Sequence, residues 1–186
     1  MRLFIAVDLG HGVREAVAKK LDELHGLAPR ARWLKPEALH VTLAFLGEVA
    51  EERLPPLRTL VTEVAARHPA FTLGASGGGA FGSPKRPKVL WVGLSGEMER
   101  LKALQAELAQ ALAGWGHPPE ERAFSPHLTL ARAKDPRGEA TLAGCVRALE
   151  GAAFGEGRID KLILFHSQLS SKGAVHTPLV EAPLGG

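Results

Sequence analysis

The stretch Leu39-His40-Val41-Thr42-Leu43-Ala44-Phe45-Leu46 has a near copy in Pro126-His127-Leu128-Thr129-Leu130-Ala131. Each copy contains the motif His-x-Thr-x, at residues 40–43 and 127–130. Because side chains in a β-strand alternate between two faces, His40 and Thr42 are predicted to point one way, while Val41, Leu43 and Phe45 point the other. The apolar face can then pack on helices, and the opposite face presents an imidazole beside a hydroxyl group.

The two motifs lie 87 residues apart, and other features of the chain recur at the same offset. Residues 3–9 align with residues 90–96, and the helical positions Val17 and Leu21 align with Leu104 and Leu108. A strand, a helix and a histidine motif therefore recur in one register without a gap. We interpret this recurrence as an internal duplication, which predicts that residues 1–186 form a single domain with two related lobes.

The composition is typical of a soluble protein with one domain. Hydrophobic residues make up 45% of the 186 residues, which is enough for a core that needs no metal or disulfide. The one cysteine, Cys145, excludes a disulfide framework and favours a cytoplasmic location. No apolar run approaches the roughly 20 residues of a membrane span. The net charge of +3 is compatible with a phosphate-bearing partner, and the lack of asparagine is typical of a thermophilic or high-GC source.

Apolar periodicity predicts the helices and strands. Helices are predicted at residues 12–25, 51–67, 98–114 and 142–149, and strands at residues 3–8, 30–35, 39–46, 70–73, 89–94, 126–131, 157–159, 161–166 and 175–180. The glycine-rich and basic segment at residues 77–88 is predicted to be a long, flexible connection and a candidate phosphate-facing loop, with a solvated hairpin as the alternative. Trp33 is predicted to pack at the sheet edge, and stacking on a base is the less favoured interpretation.

Two histidines in matching positions suit acid–base catalysis on a phosphodiester. One imidazole can accept a proton from the attacking hydroxyl group while the other donates one to the leaving oxygen, because the pKa of histidine is about 6.5. The threonine two residues after each histidine can bind a non-bridging phosphoryl oxygen. Two histidines without cysteine or carboxylate neighbours on the same strands are a poor ligand set for zinc, so no metal and no other cofactor is predicted.

The motifs His40-Val41-Thr42-Leu43 and His127-Leu128-Thr129-Leu130 resemble those of the two-histidine phosphoesterase superfamily. Within it, the chain is most similar to the bacterial and archaeal RNA 2′,3′-cyclic phosphodiesterases, which are also called 2′-5′ RNA ligases. The likeness covers nearly the whole chain. Its further blocks are Arg2-Leu3-Phe4-Ile5-Ala6, Phe45-Leu46-Gly47-Glu48, residues 83–93, Pro126-His127 through Arg132, Leu164-Phe165 and Thr177-Pro178-Leu179.

This resemblance implies an α+β fold with two pseudo-symmetric lobes, each an antiparallel sheet backed by helices, and a central cleft between the two histidine strands. It implies metal-independent hydrolysis of an RNA 2′,3′-cyclic phosphate end to a 2′-phosphate, with 2′-5′ ligation as the reverse reaction. By motif position, His40 would be the proton donor to the leaving O3′ and His127 the proton acceptor from water. Thr42 and Thr129 would bind phosphate.

Two further residues, Arg132 and His176, are candidates for the lining of the cleft. Arg132 would add a phosphate contact, but strict alternation places it on the face of Leu128, so it needs a bulge or the strand end to reach the cleft. Relatives often carry an aromatic residue where this chain has His176, and His176 is a candidate for lining the cleft. The remaining histidines are expected at turns or helix ends on the surface; they are His11, His25, His68, His117 and His166.

The predicted partners are RNA ends or oligonucleotides with a 2′,3′-cyclic phosphate, with no membrane and no obligate protein partner. Two other functions stay open. One is a phosphodiesterase that acts on another cyclic or 2′-5′-linked nucleotide, and the other is a non-catalytic RNA-binding module. The second is disfavoured because such a module would use arginine, lysine and aromatic side chains in place of paired histidines.

Overall fold

The computed structural model describes residues 1–185. The strands are β1 (Arg2–Val7), β2 (Arg32–Trp33), β3 (Val41–Glu48), β4 (Phe71–Gly82), β5 (Pro87–Gly96), β6 (Leu128–Arg132), β7 (Ala153–Ile159), β8 (Lys161–Ser170) and β9 (Gly173–Pro183). The helices are α1 (His11–Leu27), α2 (Leu54–Ala66), α3 (Met98–Trp115) and α4 (Leu142–Ala148). The helix predicted from residue 51 starts with a 3₁₀ turn at Glu51–Arg53, and Pro55 and Pro56 then occupy the first turn of α2, where a missing N–H costs least.

The strands form two antiparallel sheets. Sheet A has the strand order β3-β1-β8-β9, and sheet B has the order β2-β6-β5-β4-β7. All neighbouring strands in both sheets run antiparallel. Sheet A therefore holds β3, the strand after His40, and sheet B holds β6, the strand after His127. The predicted α+β class, with antiparallel sheets backed by helices, is confirmed.

The helices pack on the two sheets, and α1 crosses from one sheet to the other. Each long helix buries residues spaced three or four apart, as a core-facing helix requires. These residues are Val13, Val17, Leu21 and Leu24 in α1, Leu57, Val61 and Val64 in α2, and Leu101, Leu104, Leu108 and Leu112 in α3. The helix α1 follows a strand of sheet A but packs on β7 of sheet B, whereas α2 packs on β8 and β9 of sheet A. Within residues 1–185, no helix has the length and hydropathy needed to cross a membrane.

Residues 77–88 do not form the long flexible connection that their composition predicted. They belong to a hairpin, because β4 continues to Gly82 and β5 begins at Pro87. The turn is held in place by Arg86, whose guanidinium donates a hydrogen bond to the carbonyl oxygen of Gly138 at 3.0 Å. The glycines mark tight packing and not flexibility, since a side chain at Gly79 would overlap the indole of Trp91. The prediction of a flexible loop is therefore wrong, and the hairpin alternative is confirmed.

Candidate active site

His40 lies immediately before β3, among aromatic side chains on one face of sheet A. The centroid of its ring is 4.4 Å from that of Phe165, 5.8 Å from that of His176 and 6.4 Å from that of Phe4. This face carries a small buried apolar cluster that is separate from the main core and consists of Phe4, Ala6, Ile163 and Phe165. We call it the histidine face of sheet A.

Burial lowers the pKa of His40 to about 4. The carboxylate of Asp8 and the carbonyl of Ala38 favour the protonated ring, while the positive charges of His176 and Arg14 oppose it. The Nδ1 atom of His40 is buried and makes no hydrogen bond of normal geometry within the described chain. The ring is therefore mostly neutral at pH 7 in the free protein, and a bound anion would raise its pKa.

His127 lies immediately before β6 and is oriented by a backbone carbonyl. Its Nδ1 atom lies 2.7 Å from the carbonyl oxygen of Ser125. Because a carbonyl only accepts hydrogen bonds, Nδ1 carries the proton, and the lone pair of the neutral ring is on Nε2. Phe81 packs edge-on against the ring with centroids 4.9 Å apart, and Trp91 lies at 6.3 Å. Burial lowers the pKa of His127, the hydrogen bond to Ser125 opposes this shift, and the charge of Arg132 adds to it.

Thr42 and Thr129 occupy equivalent positions beside the two histidines. Thr42 lies opposite Ala6, and Thr129 lies opposite Trp91 on β5. Side chains that lie directly opposite each other in antiparallel strands share a face, so Thr42 belongs to the histidine face of sheet A. The face that carries Trp91 and Thr129 is the corresponding histidine face of sheet B. Each sheet thus presents the imidazole of its motif and a half-buried threonine on the same side.

A β-bulge interrupts both strands at the same distance from the histidine. Leu43 is the extra residue in β3, and Leu130 is the extra residue in β6. In each strand this residue and the alanine after it, Ala44 or Ala131, both pack on the main core. A bulge adds one residue to the alternation, so the residue that follows returns to the histidine face.

The two bulges decide where Phe45 and Arg132 point. Phe45 was expected on the buried face, but it is 60% exposed and its ring lies 6.2 Å from that of Phe4 on the histidine face of sheet A. That prediction is wrong because strict alternation does not hold across the bulge. Arg132 is exposed and lies opposite Val89, on the histidine face of sheet B. The bulge that Arg132 needed in order to reach the histidine side is present.

The offset of 87 residues does not hold for β1 and β5, the strands that pair with β3 and β6. At the 87-residue offset the counterpart of Ala6 is Gly93, but the residue opposite Thr129 is Trp91. The alignment of residues 3–9 with residues 90–96 without a gap is therefore wrong by two residues. The duplication itself stays a prediction from the sequence.

The residues next to the two histidines meet at a small pocket between the sheets. Leu39 and Leu128 line this pocket together with Asp8 and Arg14. A terminal nitrogen of Arg14 donates a hydrogen bond to Oδ2 of Asp8 at 2.5 Å. The fold thus brings the starts of β3 and β6 together and places an ion pair beside them.

Two other side chains have clear positions. The ring of His176 lies 4.8 Å from that of Phe4, so His176 lines the histidine face of sheet A, and burial lowers its pKa. The indole nitrogen of Trp33 donates a hydrogen bond to the carbonyl oxygen of Ala28 at 2.9 Å, and the ring packs on the main core. The packing interpretation of Trp33 is confirmed.

The remaining histidines are only partly as expected. His11 and His25 are exposed on α1. His68 lies just after the end of α2, as predicted, although its side chain is only 16% exposed and its Nε2 atom lies 3.3 Å from Glu107. His166 lies inside β8, so the predicted turn position is wrong for this residue. Among residues 1–185, no three metal-ligating side chains come together.

Sequence reasoning missed most of the side chains around the histidines. Phe4 could have been found, because alternation along β1 separates it from the core-facing Leu3 and Ile5. Phe165 and Trp91 come from strands far away in the sequence, and no local pattern indicates that they contact His40 or His127.

Comparison with known proteins identifies the family. The sequence model of the 2′-5′ RNA ligase superfamily matches residues 13–168, a range that includes both histidine motifs. The chain belongs to the 2′-5′ RNA ligase superfamily.

Relatives in this superfamily match over the full length. The RNA 2′,3′-cyclic phosphodiesterase of Archaeoglobus fulgidus is 36% identical over 179 residues, which cover 96% of this chain and 98% of the relative. A crystal structure from Thermus thermophilus has a TM-score of 0.83 at 30% identity and covers 100% of this chain and 99% of its own. Escherichia coli LigT in complex with 3′-AMP has a TM-score of 0.77 at 27% identity, covering 98% and 97%.

Proposed function

We propose that this protein hydrolyses RNA 2′,3′-cyclic phosphate ends to 2′-phosphates, with His40 and His127 as the acid–base pair. The observation that carries the proposal is the recurrence of one arrangement in two sheets: an imidazole just before a strand, a threonine on the same face, and a bulge after it. Full-length similarity to proteins named RNA 2′,3′-cyclic phosphodiesterase supports the substrate class.

The orientation of His127 supports its role as the base. Its neutral ring has the lone pair on Nε2, because Nδ1 is bonded to the carbonyl of Ser125. In the proposed reaction Nε2 takes a proton from water, and the water oxygen forms a bond to phosphorus. The bond from phosphorus to O3′ breaks, and His40 gives its proton to O3′. The products are a 2′-phosphate and a free 3′-hydroxyl group, so atoms and protons balance.

His40 must be protonated to act as the acid, although its pKa in the free protein is only about 4. The substrate supplies the missing stabilisation, because the negative charge of a phosphodiester beside the ring raises the pKa. The carboxylate of Asp8 and the carbonyl of Ala38 act in the same direction. Binding of the anion and charging of His40 are therefore linked in this proposal.

Thr42, Thr129 and Arg132 bind the phosphoryl oxygens in the proposed complex. The two hydroxyl groups are on the histidine faces, and hydrogen bonds there stabilise charge that grows on the oxygens in the transition state. The exposed guanidinium of Arg132 can bind a phosphate through two parallel N–H groups. Ligation follows the same course with a 5′-hydroxyl group in place of water: its oxygen forms the bond to phosphorus, the bond to O3′ breaks, and a 2′-5′ linkage results, a step that is reversible in principle. A cytoplasmic location belongs to the proposal and is supported by the free, buried Cys145.

The test uses EDTA-treated protein and a short RNA that ends in a 2′,3′-cyclic phosphate. We expect metal-free turnover to the 2′-phosphate, and a loss of about 100-fold or more in His40→Ala and in His127→Ala, since general acid–base catalysis contributes about that much. His25→Ala is the matched control, because His25 is exposed near the far end of α1 and should keep the wild-type rate. The product isomer is identified by chromatography against 2′- and 3′-phosphate standards.

Two results would reject the proposal. If the wild type binds the RNA but does not cleave it, the protein is a binding module. If both histidine variants keep the wild-type rate, the reaction does not use this pair. A wild type that prefers a 2′-5′-linked or another cyclic nucleotide would keep the mechanism and change the substrate.

A further inference from the structure

Two arginines lie side by side at one edge of sheet B. Arg32 on the edge strand β2 is directly opposite Arg132 on β6. Both side chains are exposed, and none of the ion pairs in the described chain involves either of them. Opposite residues in antiparallel strands are only about 5 Å apart, and like charges at this distance repel each other. The fold therefore keeps a repulsive pair that an anion would relieve.

The position of Arg32 is fixed by the residues around it. Ala31 is buried, and Trp33 packs on the main core while its indole donates to the carbonyl of Ala28. The backbone N–H of Leu34 extends the pairing of the two strands by donating to the carbonyl of Leu130 at 2.9 Å. Because its neighbours face the core, Arg32 projects from the opposite face, which is the histidine face that also carries Arg132. A guanidinium on such an anchored strand is well placed to select a ligand geometry.

The basic side chains continue outward from the candidate active site. Arg132 is close enough to His127 for its charge to lower the pKa of that ring. Arg32 lies one strand further out, at the sheet edge. A phosphate held near His127 and Arg132 would therefore have Arg32 on its outer side, where the rest of a nucleic acid chain must leave the site.

We propose that Arg32 binds the phosphate on the 5′ side of the terminal nucleotide, while Arg132 contacts the cyclic phosphate itself. This inference rests on the proposed function and adds the substrate class to it: the site is built for an RNA end that carries a second phosphate, and a lone nucleoside cyclic phosphate is a poorer substrate. Arginine suits the position because its planar fork binds phosphate oxygens in pairs.

The test compares two substrates that differ by one phosphate, a nucleoside 2′,3′-cyclic phosphate with a 5′-hydroxyl group and the same compound with a 5′-phosphate. We expect the wild type to prefer the 5′-phosphorylated compound by about tenfold in kcat/KM, as for one charge-assisted contact. Arg32→Gln should remove this preference and leave kcat/KM for the 5′-hydroxyl compound unchanged. Arg32→Lys should keep part of it, because the charge remains and the fork is lost.

Arg158→Gln is the matched control, since Arg158 is an exposed arginine on β7, the opposite edge strand of the same sheet. It removes the same charge and should keep the full preference. For a longer RNA, the slope of log(kcat/KM) against log salt should become less negative by about 0.7 in Arg32→Gln, the value for one phosphate contact on a single strand.

The inference is overturned if the wild type shows no preference, if Arg32→Gln retains it, or if Arg158→Gln loses it equally. Equal losses on both substrates in Arg32→Gln would also overturn it, because they would indicate a role at the cyclic phosphate. If the wild type cleaves neither compound nor the longer RNA, the proposed function fails and this inference fails with it. Thermal unfolding of each variant checks that the exposed substitutions leave the fold intact.

Discussion

His40 and His127 have the same sequence context but different surroundings. The ring of His40 is packed between Phe165, Phe4 and His176, and burial takes its pKa to about 4. His127 keeps a hydrogen bond from Nδ1 to a carbonyl, which partly offsets the effect of burial on its pKa. The two matching motifs are therefore not chemically equivalent, and this difference supports unequal roles in the reaction.

The pH dependence of catalysis should reflect these two rings. The pKa values of both histidines are lowered from 6.5, so the profile of kcat/KM, which reports the free protein, should be a bell with its maximum below pH 6.5. The bound phosphodiester is an anion that stabilises protonated rings, so the profile of kcat should be shifted to higher pH. Steady-state kinetics between pH 3 and pH 8 on one substrate measure both profiles. The interpretation fails if the maximum of kcat/KM lies above pH 7.

Replacing His176 tests the role of His40 as the acid. The charge of His176 lowers the pKa of His40, so His176→Phe, which keeps an aromatic ring beside Phe4, should raise the pKa of His40. Since His40 must be protonated to act as the acid, the alkaline limb of the kcat/KM profile should then move to higher pH by a fraction of a unit. A limb that stays in place, or moves to lower pH, would show that the charge of His176 does not act on His40.

At the scale of the elements, the β-bulges and a close strand contact shape the site. The bulges at Leu43 and Leu130 turn Phe45 and Arg132 to the histidine faces. On sheet B, the indole of Trp91 lies across Gly79 of the neighbouring strand, in the space that a side chain there would occupy. The glycine therefore positions the aromatic wall beside His127.

Gly79→Ala should disturb this wall. The new Cβ would overlap the ring of Trp91, so the indole must move, and overpacking of this kind costs about 1–3 kcal/mol of unfolding free energy. Because Trp91 lies 6.3 Å from His127, kcat/KM should also fall, by up to about 100-fold. Urea unfolding, tryptophan fluorescence and kinetics measure the three effects.

Gly114→Ala is the matched control for this substitution. Gly114 lies in α3 with no atom near the position of a new Cβ, and alanine in a helix is favoured over glycine by about 1 kcal/mol. This variant should be as stable as the wild type or slightly more so, with unchanged kinetics. Equal behaviour of the two variants would contradict the packing role of Gly79.

At the scale of the whole molecule, the two sheets are held together by elements that cross between the halves of the sequence. The helix α1 leaves sheet A and packs on sheet B, and β2 pairs with β6 just before the chain enters β3. Where β1 ends, the backbone carbonyl of Leu9 lies directly against Gly157 on β7. The relative position of the two histidines depends on this docking.

Gly157→Ala should therefore weaken the docking of the sheets. A Cβ at this position would overlap the carbonyl of Leu9, and backbone cannot move aside as a flexible side chain can. We expect a loss of about 3 kcal/mol in unfolding free energy and a lower Tm. Gly12→Ala in α1, where nothing lies near the new Cβ, is the control and should be as stable as the wild type or slightly more so. Unchanged stability of Gly157→Ala would show that the backbone at Leu9 shifts to accommodate the methyl group and that this contact does not fix the docking of the sheets.

The sequence by itself determined the local features of this protein. The helical spacing of Val17, Leu21, Leu104 and Leu108 identified two of the helices, and the continuous apolar run at residues 3–8 indicated the strand β1. The two histidine motifs and their threonines could be found because they depend on residues close together in the chain, where period and spacing carry the information.

Only the tertiary structure decided which strands share a sheet, which side chains surround each histidine, and where Phe45, Arg32 and the glycine-rich hairpin lie. Alternation predicts a face correctly until a bulge inserts one residue, and nothing in the motif itself reveals the bulge. Strand pairing joins residues that are far apart in sequence, as for Arg32 and Arg132. Such contacts depend on how the whole core packs, because the free energy that selects them comes from burying many distant side chains together.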